Sequence, residues 1–262
     1  MATVVQIGTF HSPFKEKFGI PRQAGIVNDL PGYISFEKPY NSPEAIRGLE
    51  DFDYIWIIWQ SAPPHSNAQN EKNRSAKEEG EANSSIENPV SPTANVRVPL
   101  TVRPPRLGGN KRMGVFATRS PFRPNPLCMS CVRIDHIDTE TNTIHVLGAD
   151  ILDGTPILDI KPYIPYSDSH PEACGGFTDK TQWSLLQVNI TAEAERRLTE
   201  CNIPADIIRQ LIAQDPRPHF HHDPQRVYGM AYEGWNVKFT VDGTAAKVVD
   251  VEKRKRNNQF HL

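Results

Sequence analysis

The chain has 262 residues, 38% of them hydrophobic, with 29 Lys plus Arg against 31 Asp plus Glu. That length supports one large or two ordinary domains with real cores, and the near-neutral charge excludes a protein that coats polyanions over its whole surface. No apolar run reaches the roughly 18 residues of a membrane span, and Met1–Gln6 lacks the basic start and apolar centre of a secretory signal. A cytosolic, cytoplasmic protein without membrane contact is expected. Cys128, Cys131, Cys174 and Cys201 do not suggest a disulfide framework, and reduced thiols fit that compartment.

In chain order, strands are predicted over Val4–Thr9, Tyr33–Phe36 and Tyr54–Gln60. Further strands follow over Gly114–Thr118, Met129–Ile137, Thr143–Ile151 and Ile157–Ile164, all rich in Ile, Val or aromatics and punctuated by Gly, Pro or Asp. One short helix interrupts them: Ser42 can cap it, Pro43 suits its first position and Gly48 stops it. The absence of βα alternation argues for an antiparallel, barrel-like sheet. Residues 66–95 contain no aromatic and little beyond Ala, Ser, Asn, Glu and Lys, which predicts a disordered insertion in a loop. Beyond Asp168 the pattern turns helical at Thr191–Leu198 and Pro204–Gln214. Val227–Tyr232, Trp235–Val241 and Ala246–Val251 then read as a small antiparallel sheet, with Asp242-Gly243 as the last turn. The expected architecture is mainly β with α+β: an antiparallel barrel-like N-terminal domain over 1–167 and a smaller C-terminal α+β domain over 168–262.

The electrostatics concentrate in one window. Between Asn88 and Ile134 there is no Asp or Glu, while Arg97, Arg103, Arg106, Lys111, Arg112, Arg119, Arg123 and Arg133 supply eight positive charges among eight prolines. Fixed cations inside a balanced protein make a focused anion-binding surface, so a nucleotide or nucleic acid is the expected partner.

Other candidates carry weaker signals. Cys128-Met129-Ser130-Cys131 has zinc or redox spacing, but no second such pair and no His at ligand spacing accompany it, so strand packing is the expected role and no metal is expected. His219, His221 and His222 beside Pro216-Arg217-Pro218 suit RNA contact or solvation better than metal binding. Asp150-Ile151-Leu152-Asp153-Gly154 places two acids at a turn, which serve either turn chemistry or a ligand rim. Neither a dinucleotide fingerprint nor a phosphate loop is present.

Several long strings resemble the TsaA-like family, and within it the bacterial TrmO tRNA methyltransferases. They are Ser12-Pro13-Phe14-Lys15-Glu16-Lys17-Phe18 with Pro21-Arg22-Gln23, Arg47-Gly48-Leu49-Glu50, and Thr101-Val102-Arg103-Pro104-Pro105-Arg106-Leu107-Gly108-Gly109-Asn110. Met113 to Pro126, Asp153 to Tyr163 and Gln214-Asp215-Pro216-Arg217-Pro218 complete the set. The resemblance implies methyl transfer from S-adenosylmethionine to N6 of threonylcarbamoyladenosine at position 37, in the tRNA anticodon loop, by a homodimer whose barrel binds the cofactor. It places cofactor contacts on Pro21, Arg22, Gln23, Arg119, Met129, Asp150, Ile151, Leu152 and Asp153. Where some relatives carry a His-Gln pair, this chain has Ala62-Pro63, so that loop is assigned no contact.

The sulfonium activates the methyl group, so positioning can supply much of the rate, while the urea-type N6 calls for a proton acceptor. Asp150, Asp153 and Asp159 are the candidates. Arg103, Arg106, Lys111, Arg112 and Arg123 are expected on phosphates, and Arg217 with Phe220 on a splayed base. A non-catalytic tRNA-binding module and a methyltransferase for another substrate are the rival readings. Calorimetry with the cofactor separates the first rival, and the C-terminal domain weighs against the second.

Overall fold

A computed structural model describes residues 4–61, 100–104, 111–181, 183–218, 221 and 223–254. Six strands, β1 (Gly8–His11), β2 (Pro31–Phe36), β3 (Tyr54–Gln60), β6 (Leu127–Asp138), β7 (Thr143–Leu147) and β8 (Thr155–Pro162), close a barrel in the order β1-β2-β7-β6-β3-β8. The expected barrel-like antiparallel sheet is therefore present. Alternation explains its lining: Phe10, Ile34, Ile55, Ile57, Val132, Ile144, Val146 and Ile157 point inward and are buried, with polar or half-exposed residues between them. A six-stranded barrel is narrower than the roughly eight-stranded size whose interior side chains just fill, so its lumen is core and any ligand must sit outside it.

Several predicted bounds shift for local reasons. β1 starts at Gly8, because it pairs with Tyr33–Phe36 and Thr155–Ile157, while Val4 and Val5 remain exposed. β7 ends at Leu147, since Gly148 turns the chain at φ +85. The predicted strand at Gly114–Thr118 is only β5 (Met113–Gly114), paired with β4 (Thr101–Val102). A 3-10 turn over Val115–Ala117 follows, where the Thr118 hydroxyl donates to the Val115 carbonyl at 2.9 Å. The short helix α1 (Pro43–Ile46) forms as expected, capped by Ser42 accepting from the Glu44 N–H. A second short helix, α2 (Pro165–Asp168), carries no strong sequence signal.

The C-terminal region is α+β, with a correction to its sheet. β10 (Tyr228–Tyr232), β11 (Trp235–Asp242) and β12 (Ala245–Lys253) are antiparallel as predicted, but β9 (Gln187–Ile190) adds a fourth strand parallel to β12. Two helices cover this sheet: α3 (Ala192–Glu200), capped by Thr191, and α4 (Ala205–Ala213), which buries Ile207, Ile208, Leu211 and Ile212. Their core also takes in Phe14, Val27 and Leu30 from the chain between β1 and β2.

Two compact units emerge from the contacts: Met1–Trp59 with Met129–Leu262, and Gln60–Cys128. The predicted insertion at 66–95 lies outside the described residues.

Candidate active site

The chain from Ser12 to Ile20 is held on both sides. On one side Asp153 accepts from the Ser12 N–H at 3.1 Å and pairs with Lys15, and the Asp153 N–H donates to the Phe14 carbonyl at 3.0 Å. On the other, the Glu233 N–H donates to the Pro13 carbonyl at 2.9 Å, Phe14 meets Tyr232 edge-on, and Phe18 stacks on Phe239. Gly19, at φ +94, lies against Met230, where any Cβ would collide at 2.5 Å. This clamp fixes the start of the next segment, in which Pro21 is buried, Arg22 exposed and Gln23 half-buried.

The same segment is tied to the turn after β7. Gly25 donates its N–H to the Gly148 carbonyl at 2.9 Å, and Gly148 donates to Leu30 at 2.8 Å. Asp150 follows directly, and its carboxylate accepts from the Ser130 hydroxyl at 2.5 Å. Ser130 is only 2% exposed and also accepts from the Trp59 indole N–H at 3.0 Å. Residues 21–23, Met129 and 150–153 are thereby brought to one rim, where β1, β3 and β7 end and β2, β6 and β8 begin. Met129 is half-exposed there, Ile151 is buried and Leu152 is half-buried.

The three candidate acids occupy different settings. Asp150 sits at the rim in the relay from Trp59 through Ser130. Asp153 is spent on the clamp, with 17% of its side chain exposed and His11 Nδ1 a further 3.8 Å away. Asp159 lies on β8 beside the bulge opposite Ile58 and Trp59, paired with Lys161 at 2.9 Å and accepting from the Ile160 N–H. Trp59 and Ser130 went unnoticed in the sequence. Their signal was the strand alternation, which turns Ser130 inward beside Val132 and obliges a buried hydroxyl to find partners.

A cavity of about 450 Å³ adjoins this rim on the outside of the barrel wall, with Gly25, Asn28, Tyr54, Cys131, Arg133 and Gly148 in its lining. Burial, and then the nearby Asp168 charge, push the Cys131 thiol up from its ordinary value, which keeps it protonated and poorly nucleophilic at neutral pH.

The Gln60–Cys128 unit carries Arg119 and most of the predicted phosphate contacts. Arg103, Lys111, Arg112 and Arg119 are exposed, with Arg112 reaching the Thr101 hydroxyl at 3.3 Å. Arg123 is instead half-buried and donates to the Thr118 and Ser120 carbonyls at 3.1 and 3.4 Å, so it braces its own loop. Arg217 makes a bidentate pair with Asp215 at 2.7 and 2.9 Å and exposes 12% of its side chain. That pairing holds its guanidinium above its ordinary pKa and leaves little of it for a base. Arg106, Phe220, His219, His222 and Ala62-Pro63 lie outside the described residues.

The family model for the tRNA-methyltransferase O N-terminal domain matches residues 9–169, and that for the TrmO C-terminal domain matches residues 184–254. The chain belongs to the TrmO family. An Escherichia coli K12 relative named tRNA (adenine(37)-N6)-methyltransferase is 37% identical over 95% of this chain and 97% of its own. A relative from Pseudomonas aeruginosa PAO1, named as a candidate S-adenosylmethionine-dependent methyltransferase, is 35% identical over 87% of each chain. The crystal structure of TrmO from Pseudomonas aeruginosa is similar with a TM-score of 0.70 at 28% identity, covering 96% of this chain and 98% of that one. TrmO membership accounts for the barrel fold and the missing dinucleotide fingerprint together. No helix among the described residues is long and apolar enough to cross a membrane.

Proposed function

We propose that this protein transfers a methyl group from S-adenosylmethionine to N6 of threonylcarbamoyladenosine at position 37 of tRNA. The observation that carries the reading is the likeness, over nearly the whole of both chains, to a relative named for adenine-37 N6 methylation. The donor set at the rim fits the cofactor. Arg22 can take a carboxylate, Asp150 a hydroxyl or cationic group, and the exposed Met129 and half-buried Leu152 an apolar ring. When bound, the cofactor supplies an activated methyl at its sulfonium.

Asp150 takes the role of proton acceptor for N6. Its rim position is set by the Ser130 hydroxyl, whereas Asp153 holds the clamp and Asp159 is occupied by Lys161. Residues 21–23 and 150–152 orient the donor, and the cations of the Gln60–Cys128 unit, Arg103, Lys111 and Arg112 among them, meet the anticodon-loop phosphates. Arg119 stays with the cofactor in this scheme. Residues 1–167 then form the cofactor domain and 168–262 the smaller tRNA-contacting domain of a cytoplasmic homodimer.

Purified protein, labelled S-adenosylmethionine and two tRNAs, one with and one without the threonylcarbamoyl group, provide the test, read by nucleoside mass spectrometry. Methyl on the modified nucleoside alone is expected, with Asp150→Asn lowering kcat by about 100-fold or more. Equal methylation of the unmodified transcript, or a protein that binds tRNA but no cofactor, overturns the reading.

A further inference from the structure

Met129, Cys131 and Arg133 form one outward row on β6, while Ser130 and Val132 between them point into the barrel. The cavity outside the wall opens against this row, with Cys131 and Arg133 in its lining. Gly25 and Gly148, which bind each other across the end of the cavity, are also the residues that carry the chain from Gln23 and on to Asp150. The cavity is thus bounded by the same two segments that lead to the rim assigned to methyl transfer. Along the strand Met129 and Arg133 are about 13 Å apart, a gap that an arginine stem and a short substrate arm can close between them.

Arg133 supplies the positive charge of this lining. Asp29 lines the same cavity, and among the described residues it is the ion-pair partner of Arg133: Nη2 to Asp29 Oδ1 at 3.5 Å is loose, and the two side chains are 46% and 66% exposed. An exposed pair of this kind contributes little, so a better-aligned carboxylate can displace it and use the remaining donors of the guanidinium. Asn28 and Tyr54, whose side chains carry neutral polar groups, belong to the same lining.

We infer that this cavity receives the threonyl arm of the modified adenosine, with Arg133 pairing the arm's carboxylate. The inference rests on the methylation reading above and adds the residue that recognises the modification. A planar carboxylate on a short arm matches a forked guanidinium in a cavity of amino-acid size. Unmodified adenosine has nothing to place there, so the empty arginine site would itself make the prior modification a requirement.

The test uses an anticodon stem-loop carrying threonylcarbamoyladenosine and the same stem-loop with the threonyl carboxylate converted to its primary amide. Wild-type protein should lose roughly 10- to 100-fold in kcat/KM on the amide, mostly through KM. Arg133→Gln should lose the same factor on the carboxylate substrate and show no further loss on the amide, with cofactor calorimetry unchanged. Arg133→Lys should recover part of the loss. Equal wild-type rates on carboxylate and amide overturn the inference without any variant, as does an Arg133→Gln protein that still discriminates. Wild-type protein that methylates neither stem-loop nor full-length modified tRNA would instead refute the methylation reading.

Discussion

Ser130→Ala tests the relay at the rim. Ser130 is 2% exposed, and its hydroxyl accepts from Trp59 at 3.0 Å and donates to Asp150 at 2.5 Å, so its removal orphans a part-buried indole N–H and deprives a carboxylate of a donor. A neutral hydrogen bond contributes about 0.5–1.5 kcal/mol and one to a charged group about 1.5–3 kcal/mol; water can reach the half-buried Asp150, so a net loss of about 2–3 kcal/mol follows. At roughly 2–4 °C per kcal/mol for a protein of this size, thermal unfolding should move down by roughly 4–12 °C. Trp59→Phe removes the orphaned donor, so Trp59→Phe with Ser130→Ala should cost clearly less than the sum of the single variants. If Asp150 is the acceptor and Ser130 sets its position, kcat should fall by a larger factor than cofactor affinity, to which Asp150 also contributes. A Tm within about 1 °C of wild type, or strict additivity in the cycle, would show that the hydroxyl is not a working part of this rim.

Gly148→Ala forces a side chain onto φ +85 with the Asn28 carbonyl 3.4 Å from the new Cβ. A loss of about 1–2 kcal/mol in denaturant unfolding, accompanied by weaker cofactor binding in calorimetry, is expected because the bond to Gly25 ties the two rim segments together. Arg119→Ala should weaken cofactor binding with little change in the salt dependence of tRNA binding, whereas Lys111→Ala should flatten that dependence by up to roughly one unit in log–log slope. An Arg119→Ala protein that binds cofactor normally but loses tRNA reverses the assignment. His145 stacks between Tyr33 and His136, within reach of Asp138 and Asp135 charges. Burial, and then His136, lower its pKa from 6.5. Because the unfolded chain binds that proton more readily, this contribution to stability is complete above about pH 6.5 and is lost as pH falls toward the folded value. His145→Gln should flatten the decline in Tm below pH 6.5, and an unchanged slope would refute this.

The barrel was legible because its inward rows are continuous in Ile, Val and Phe, and the resemblance singled out the segments at 21–23, 129 and 150–153, which the strand order brings to one rim. Polar residues were harder to place. Asp153 and Asp150 share a turn, and only the arrival of Lys15 and the Ser12 N–H from another segment separates a clamp from a rim acid. Arg123 and Arg217 looked like phosphate or base contacts from charge alone, yet short-range carbonyls and Asp215 occupy them. β9 escaped because Gln187–Ile190 alternates weakly and gains its strand form from β12, nearly sixty residues later. In Cys128-Met129-Ser130-Cys131 the eye-catching cysteines hid the serine that matters.

The clamp around Phe14 has a kinetic corollary. Its partners Met230, Tyr232 and Phe239 are far away in sequence, so the contacts that fix the Ser12–Ile20 segment close one of the longest loops in the chain. Contacts of that separation pay their loop-closure entropy before they return any stability, and they form late. The barrel strands pair over shorter distances and can assemble first, leaving Phe14, Val27 and Leu30 exposed until the C-terminal sheet arrives to cover them. The Ser12–Ile20 side of the rim is therefore expected to acquire its shape last, after the barrel contacts that hold Asp150 and Gly148, and until then its apolar edge is open to aggregation.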